Sequence, residues 1–284
     1  MIEINIIETQ KVLSPTQISL ADYAINPYRG CEFGCLYCYS QENKNIKNRK
    51  QEWGKFVDVK IDAPAVLRNE ISYIKPRKVI LGTTTECFQP QELKFNITRQ
   101  IIEILREKDI PLVILTKSSL IENYLDIISY SPENKIYFTF MFTDCMIKNL
   151  LEKDSPDLQK RIKTINKIME KRIKSRIHIG PYIPHLQNLE DIFKLIPKGI
   201  NEVEIEVYNF KMGNFPKMLE IINENTGENK SRIIEDIYSS KDTYDKFCDD
   251  LKENAETLNK TFKFKLNFII PDYNFWYTDK IKYD

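Results

Sequence analysis

Short apolar runs rich in β-branched residues alternate along the chain with segments in which apolar positions recur at helical spacing. The helical patterns fall at residues 63–74, 91–108, 120–129 and 156–172. The apolar runs predict strands at residues 78–82, 111–116, 135–142, 177–183 and 203–208. Alternation of this kind is typical of parallel βαβ units. With one more strand leading into residue 31, about six such units are predicted, which indicates an α/β protein with a partial (β/α)6 barrel of the TIM type.

The pattern changes beyond about residue 227. A long charged helix is predicted at residues 231–258, and an aromatic strand follows at residues 262–270. We therefore predict two units: residues 1–226 form the partial barrel, and residues 227–284 form a C-terminal helix and strand extension that covers it. In barrels of this type, ligands bind at the C-terminal ends of the strands.

The charge balance does not indicate a partner, but the composition indicates the cellular compartment. The 42 basic and 41 acidic residues leave a net charge of +1, which argues neither for nor against a polyanionic partner. No apolar run approaches the roughly 18 residues of a membrane span, and the opening residues lack the features of a secretion signal. Six cysteines without a framework pattern suit a reducing compartment. We therefore expect a cytoplasmic protein with no membrane partner.

Three cysteines lie close together in the run GCEFGCLYCY at residues 30–39. Cys31, Cys35 and Cys38 have the spacing C-x3-C-x2-C, and no fourth cysteine follows closely. Thiolates are the usual ligands of iron–sulfur clusters, so this loop can hold three corners of a [4Fe–4S] cluster. The fourth iron would be left open, and an open iron is a place where a substrate or cofactor can bind and be reduced.

A zinc site is the alternative for the same cysteines. Structural zinc needs four protein ligands, and catalytic zinc needs three and a water molecule. The two histidines, His178 and His185, are far away in sequence, and zinc ribbons usually pair two C-x2-C motifs. A non-catalytic metal-binding module, with zinc or a degenerate cluster, is therefore the second hypothesis.

Several segments, in order and spacing, resemble one family. The run NPYRGCEFGCLYCY at residues 26–39 resembles the cluster loop of the spore photoproduct lyase-like branch of the radical S-adenosylmethionine (SAM) superfamily. The runs GTTTECFQPQE at 82–92, LTKSS at 115–119 and GPYIP at 180–184 are similar to its later strand motifs. The resemblance covers roughly residues 20–210. It implies a [4Fe–4S] cluster, SAM, a reductant such as flavodoxin or ferredoxin, and a 5′-deoxyadenosyl radical that abstracts hydrogen from an unidentified substrate.

The resemblance also implies roles for single residues. Tyr37 occupies the position of an aromatic residue beside the adenine of SAM. Glu86 is placed to accept a hydrogen bond from the SAM amine, and Lys117 to bind the SAM carboxylate with help from Thr139. From the residues alone, Tyr37 could equally be a core aromatic and Lys117 a solvated lysine. Arg161 could equally form an ion pair on a helix surface.

Other positions depart from the family pattern. Spore photoproduct lyases return a hydrogen atom to DNA from a cysteine near the tip of the second strand, with a tyrosine relay. Thr83 stands at that position here, with Cys87 four residues further on, whereas Tyr39 matches the relay tyrosine. Tyr39 and Cys87 are therefore the catalytic candidates, and repair of a thymine dimer is not favoured.

A nucleic-acid lesion lyase remains the alternative within enzymes. The basic run at residues 160–176 could contact phosphates. Such a run is more often the solvated face of an amphipathic helix, and its apolar stripe supports that interpretation. Nucleic acid is therefore not the favoured partner.

Overall fold

The computed structural model describes residues 2–274 and contains two β-sheets flanked by helices. The strands are β1 (Glu3–Ile7), β2 (Ser14–Pro15), β3 (Tyr23–Ile25), β4 (Tyr28–Gly30), β5 (Phe56–Lys60), β6 (Val79–Leu81), β7 (Leu112–Thr116), β8 (Lys135–Thr139), β9 (Lys174–Tyr182), β10 (Glu202–Val207) and β11 (Lys265–Ile269). The α-helices are α1 (Lys44–Lys47), α2 (Ala63–Tyr73), α3 (Glu92–Phe95), α4 (Ile97–Glu107), α5 (Leu125–Ile128), α6 (Cys145–Leu151), α7 (Leu158–Glu170), α8 (Leu189–Leu195), α9 (Phe215–Thr226), α10 (Glu228–Tyr238) and α11 (Lys241–Phe262).

The large sheet has eight strands in the order β2-β3-β6-β7-β8-β9-β10-β11. Each neighbouring pair from β3 to β11 is parallel, and only the two-residue β2 runs antiparallel to its neighbour. The five strands predicted from apolar runs are present as β6–β10, so the α/β class with a parallel sheet is confirmed. The described strands leave this sheet open, and the partial barrel therefore stays a prediction.

The two faces of the large sheet differ in polarity. One face carries an unbroken set of buried apolar side chains, such as Leu81, Phe138 and Ile205, which belong to the main core. On the other face, a small apolar cluster around Ile80 and Tyr137 gives way to charged residues on β9 and β10. Because side chains alternate along a strand, one sequence can supply both faces. We call the second face the mixed face.

A second sheet, which the sequence pattern did not reveal, positions the cysteine loop. It has three strands in the order β1-β5-β4, with β4 antiparallel to β5. The cysteine loop follows β4 directly, and β5 lies beyond the loop. The loop is thus held at its start by a strand that is only three residues long.

Three predicted helices are interrupted. The one predicted at residues 120–129 is a 3₁₀ helix at Ser119–Tyr124 followed by α5. The helix predicted at residues 231–258 is two helices, α10 and α11, because Ser240 caps α11 through a reciprocal hydrogen-bonded capping box with Thr243. The helix predicted at 91–108 is broken at Asn96, which adopts a left-handed conformation with φ of 52°. Local capping chemistry overrides helical periodicity at Ser240 and at Asn96.

The C-terminal part of the chain contributes to the large sheet as well as to the helices. Strand β11 pairs in parallel with β10, and Glu204 lies opposite Asn267. The division at residue 226 stays a prediction, and residues 275–284 of the predicted extension lie outside the described residues. No helix within residues 2–274 is both long enough and apolar enough to cross a membrane.

Candidate functional site

The cysteine loop is compact and holds three free thiols. The amide of Gly34 donates to the carbonyl of Cys31 at 3.2 Å, and the amide of Cys38 donates to the carbonyl of Cys35 at 3.1 Å. Cys31 and Cys35 are buried, and Cys38 is half-buried. Two successive turns therefore bring three thiols into one small region.

The chemistry of these donors fits a [4Fe–4S] cluster. Burial raises the pKa of the Cys35 thiol to about 11, so iron must displace a proton to bind there. Within residues 2–274, no three His, Cys, Asp or Glu side chains are gathered as the ligands of one metal ion would be. A cluster takes each thiolate on a different iron, so its ligands need not meet at one point. The three residues that would hold the cluster are Cys31, Cys35 and Cys38.

Tyr37 and Lys117 meet beside Cys35. The Lys117 Nζ atom lies 2.6 Å from the Tyr37 hydroxyl and 3.6 Å from the Cys35 sulfur. It also lies 3.0 Å from Oε2 of Glu152, to which the Tyr37 hydroxyl donates at 3.0 Å. Lys117 is not a solvated lysine, and its ammonium group faces the cysteine loop.

Glu152 is the residue of this site that the sequence analysis missed. Its carboxylate is fully buried between the charges of Lys117 and Arg161, and the Arg161 Nη2 atom lies 2.9 Å from its Oε1. Burial alone would raise the pKa of Glu152, but these two cations outweigh it and hold the pKa at about 2. In sequence Glu152 resembles its exposed neighbours Lys153 and Asp154, so no local signal distinguishes it. Arg161, which the sequence left undecided, is itself buried and pairs with Glu152.

Glu86 lies in the loop that follows β6, and Thr139 is the last residue of β8. The Glu86 carboxylate accepts from the Thr116 hydroxyl at 2.7 Å and from the Lys117 amide at 3.1 Å. Burial raises its pKa. Thr139 ends β8 and lies opposite His178 of β9 on the mixed face. Both residues are buried. The Phe88 amide also donates to the Glu86 carboxylate at 3.0 Å, so three donors fix this group.

The two catalytic candidates differ in accessibility. Tyr39 is 40% exposed, and its hydroxyl donates to the carbonyl of Thr83. Cys87 is completely buried, and burial raises the pKa of its thiol well above the usual value. Only Tyr39 presents its side chain to solvent in this structure.

A second charged cluster lies on the mixed face. The two ring nitrogens of His178 lie 2.9 Å from a Glu204 oxygen and 3.1 Å from a Glu206 oxygen. Burial lowers the pKa of His178, but the hydrogen bonds to the two carboxylates outweigh it and raise the pKa to about 9. A Cβ atom at Gly180 would lie 1.9 Å from Nε2 of His178, so only glycine leaves room for this ring. The remaining members of this cluster are Lys135, Arg176 and Glu202.

A distant segment closes over the cysteine loop. Gly213, between β10 and α9, has a φ of 66°, and a Cβ atom there would lie 2.2 Å from the carbonyl oxygen of Tyr37. The Tyr208 hydroxyl donates to the carbonyl of Gly213 at 2.7 Å. A residue with a side chain at position 213 would therefore push this segment away from the cysteine loop.

Comparison with known protein sequences agrees with this geometry. A family-wide sequence model described as the radical SAM superfamily matches residues 25–196. An uncharacterized protein of Methanocaldococcus jannaschii is 31% identical over 234 residues, covering 79% of this chain and 88% of that protein. An uncharacterized protein of Mycobacterium tuberculosis is 28% identical over 171 residues, covering 58% of this chain and 50% of that protein.

Solved structures of spore photoproduct lyase have a similar fold. A variant with bound AdoMet and dinucleoside spore photoproduct superposes with a TM-score of 0.65 at 16% identity, covering 93% of this chain and 80% of that one. A complex with dinucleoside spore photoproduct gives 0.64 at 16% identity, with the same coverage. At this identity the likeness shows the fold alone, and it extends beyond the residues 20–210 on which the sequence resemblance rested. The sequence match over residues 25–196 shows that the chain belongs to the radical SAM superfamily.

Proposed function

We propose that this protein is a radical SAM enzyme in which Cys31, Cys35 and Cys38 hold a [4Fe–4S] cluster. When bound, the cluster supplies the electron that cleaves SAM to methionine and a 5′-deoxyadenosyl radical, which takes a hydrogen atom from the substrate. The observation that carries this proposal is the meeting of the cysteine loop with Lys117 and Tyr37, since the Lys117 Nζ atom lies 3.6 Å from the Cys35 sulfur.

Two residues, Lys117 and Glu86, are proposed to orient SAM at this loop. An ammonium group has three donors. Lys117 directs them at Tyr37, Glu152 and, over the longer distance of 3.6 Å, the Cys35 sulfur, so the third donor would turn to the SAM carboxylate when Cys35 binds iron. Glu86 would accept from the SAM amine, because a carboxylate has about four acceptor sites and three donors occupy this one.

Tyr37 and Thr139 complete the proposed SAM site. The Tyr37 ring is buried, and the ammonium group of Lys117 lies 5.0 Å from its centre. The Tyr37 ring would pack beside the adenine of SAM, while the hydrogen bond to Glu152 fixes the Tyr37 hydroxyl. Thr139 would line the site from the end of β8.

Tyr39 is the favoured candidate for contact with the substrate radical. Its exposed side chain is tied to Thr83, the position at which the related lyases carry a hydrogen-donating cysteine. The buried Cys87 thiol would require a rearrangement to reach a substrate, so its proposed part is that of a secondary donor.

The two alternatives have weaker support. A structural metal module has no use for a buried ammonium group beside one of its thiols. In the basic run that a nucleic-acid lesion lyase could use, Lys167 and Lys171 are paired with Glu122 and Asp126, which leaves only part of its charge for phosphates. The dinucleoside spore photoproduct is a ligand of the spore photoproduct lyase structures.

Anaerobic reconstitution with iron and sulfide tests the proposal. We expect the reduced protein to give the electron paramagnetic resonance signal of a [4Fe–4S]+ cluster, and the signal to shift when SAM is added. Incubation with dithionite and SAM should release 5′-deoxyadenosine. Cys35→Ser should abolish the SAM-dependent shift, whereas Cys248→Ser, a buried thiol on α11, should not. A protein that takes up zinc instead, or a cluster indifferent to SAM, would contradict the proposal.

A further inference from the structure

The chain segment that follows the cysteine loop carries an excess of positive charge. Within residues 41–55, which we call the basic segment, five residues are basic and two are acidic. The whole chain, by contrast, is almost neutral at +1. The segment contains α1 and the connection to β5. A second excess lies in residues 160–176, where eight residues are basic and one is acidic, but only the basic segment follows the cysteine loop directly.

The basic segment lies directly against the backbone of the cluster ligands. The side-chain amide of Gln41 donates to the carbonyls of Leu36 at 2.8 Å and Cys38 at 3.2 Å. The indole N–H of Trp53 donates to the carbonyl of Cys35 at 3.2 Å. Trp53 is half-buried, so its ring reaches from the surface to a cluster ligand. A group bound on this segment would be separated from the cluster by little more than one side chain.

Part of the charge on this surface has no acidic partner. Lys47 pairs with Glu42, and Arg49 pairs with Asp58. Lys44, Lys50 and Lys55 are exposed, and none of them forms an ion pair with any of residues 2–274. Arg29, which precedes the cysteine loop on β4, adds a partly exposed cation that shares Asp58 with Arg49. Lys167 of α7 differs, since it contacts the carboxylate of Glu122.

We propose that the basic segment is the docking surface for an acidic one-electron carrier protein of the flavodoxin or ferredoxin class. This inference rests on the proposed function, because a cluster that cleaves SAM must be reduced by one electron from outside. The carrier loses one electron and the cluster gains it, with no bond formed or broken. Complementary charge speeds such encounters and orients the partner, and the contacts of Trp53 and Gln41 keep the transfer distance short.

Charge reversal with a matched control tests the docking surface. In Lys44→Glu/Lys50→Glu, two unpaired lysines of the segment are reversed. In Lys246→Glu/Lys260→Glu, the same change in net charge is made on exposed positions of α11. For each reconstituted protein, stopped-flow absorbance measures cluster reduction by fully reduced flavodoxin and, separately, by dithionite. Calorimetry measures the binding of oxidised flavodoxin in the absence of SAM.

We expect Lys44→Glu/Lys50→Glu to slow reduction by flavodoxin roughly tenfold or more at low salt and to weaken flavodoxin binding. Both differences should shrink towards about 1 M salt, where the Debye length is about 3 Å. Reduction by dithionite should be unchanged, and the α11 variant should match the parent protein.

Three results would overturn the inference. The first is equal behaviour of the two charge-reversal variants with flavodoxin. The second is an equal loss with flavodoxin and with dithionite, which would place the effect on the cluster itself. The third is a selective loss of single-stranded DNA binding with flavodoxin kinetics unchanged, which would assign the surface to nucleic acid. Failure of the proposed function is separate, because it would appear as no 5′-deoxyadenosine from the parent protein with dithionite and SAM.

Discussion

Two clusters of buried charge in this protein differ in their balance of positive and negative groups. At the cysteine loop, one carboxylate, Glu152, lies between two cations, Lys117 and Arg161. On the mixed face, three glutamates of β10 face Lys135, Arg176 and His178, so positive and negative charges balance only while His178 is protonated. The first cluster keeps a positive excess beside three thiols that must become thiolates to bind iron. The second is neutral only while His178 keeps its proton, and the pKa of His178 is raised to about 9.

This difference in charge composition determines which of the two clusters changes with pH. With the pKa of Glu152 held at about 2 and both of its partners strongly basic, the first cluster keeps its charges across the ordinary pH range. The second changes when His178 loses its proton. We therefore associate the first cluster with binding of anionic groups, and the second with the stability of the β8–β10 part of the sheet.

The largest effect is expected from removing the shared carboxylate. Glu152→Gln leaves Lys117 and Arg161 buried without a counter-charge, and breaking a buried pair in this way costs about 3–5 kcal/mol. Denaturant unfolding of the purified protein measures the loss. Asp126→Asn, which removes an exposed partner of Lys171, is the control and should leave the free energy of unfolding nearly unchanged. A similar small loss for both variants would remove the distinction between the buried cluster and a surface pair.

A somewhat smaller effect is expected from pH. The pKa of His178 is raised to about 9 in the folded protein, against 6.5 for an ordinary histidine. The stabilisation is therefore complete below pH 6.5 and is lost as pH rises through about 9. It amounts to at most about 3 kcal/mol. Unfolding measured from pH 6 to 10 should show this decline, and His178→Gln should flatten it. A parent protein whose stability is constant over this range would contradict the pairing.

Substitution of Lys117 separates the clusters by function. Lys117→Gln removes the cation proposed to bind the SAM carboxylate, and loss of one charge-assisted hydrogen bond weakens binding roughly ten- to hundredfold. Equilibrium dialysis of SAM against the reconstituted protein measures the dissociation constant. Glu202→Gln, a change in the second cluster, should leave that constant unaltered. Equal weakening by both variants would show that the two clusters act on SAM together.

The smallest effect is expected at Gly180. Gly180→Ala places a methyl group against the His178 ring, and crowding of this kind costs about 1–3 kcal/mol. In a His178→Ala background the cost should largely disappear, because the ring that meets the methyl group is gone. Unfolding of the four proteins in this double-mutant cycle gives the coupling energy. An equal cost in both backgrounds would mean that the backbone, and not the ring, requires glycine.

The sequence predicted those features that depend on local patterns. Strands β6–β10 are marked by apolar runs, and the cysteine loop by spacing alone. The alternation of His178 with Ile177 and Ile179 in the sequence is enough to put His178 on the opposite face of its strand. What a local pattern cannot contain is register: Glu204 meets His178 because β9 and β10 pair in one particular alignment.

Glu152 could not be predicted for a related reason. It lies at the end of α6, more than thirty positions from Lys117, and only the packing of α6 and α7 on the sheet brings it to the lysine. The strand predicted to lead into residue 31 is present as β4, but it pairs with β5 in the three-stranded sheet, and no local pattern shows that pairing. Strand β1 was missed because it is partly exposed. The break between α10 and α11 was missed although residues 239–243 are all polar, and Ser240 followed by Thr243 is the capping signal that could have marked it.

The closure of residue 213 over the cysteine loop sets an order of events during synthesis. The three thiols leave the ribosome early, but the parts that enclose them come later: Trp53, then Leu151, whose carbonyl accepts from the amide of Leu36 at 2.8 Å, and finally Gly213. A nascent chain shorter than this has all three ligands and an unfinished enclosure. Iron delivered to the growing polypeptide would meet an exposed loop, and durable assembly of the metal centre is expected only after residue 213 has been translated.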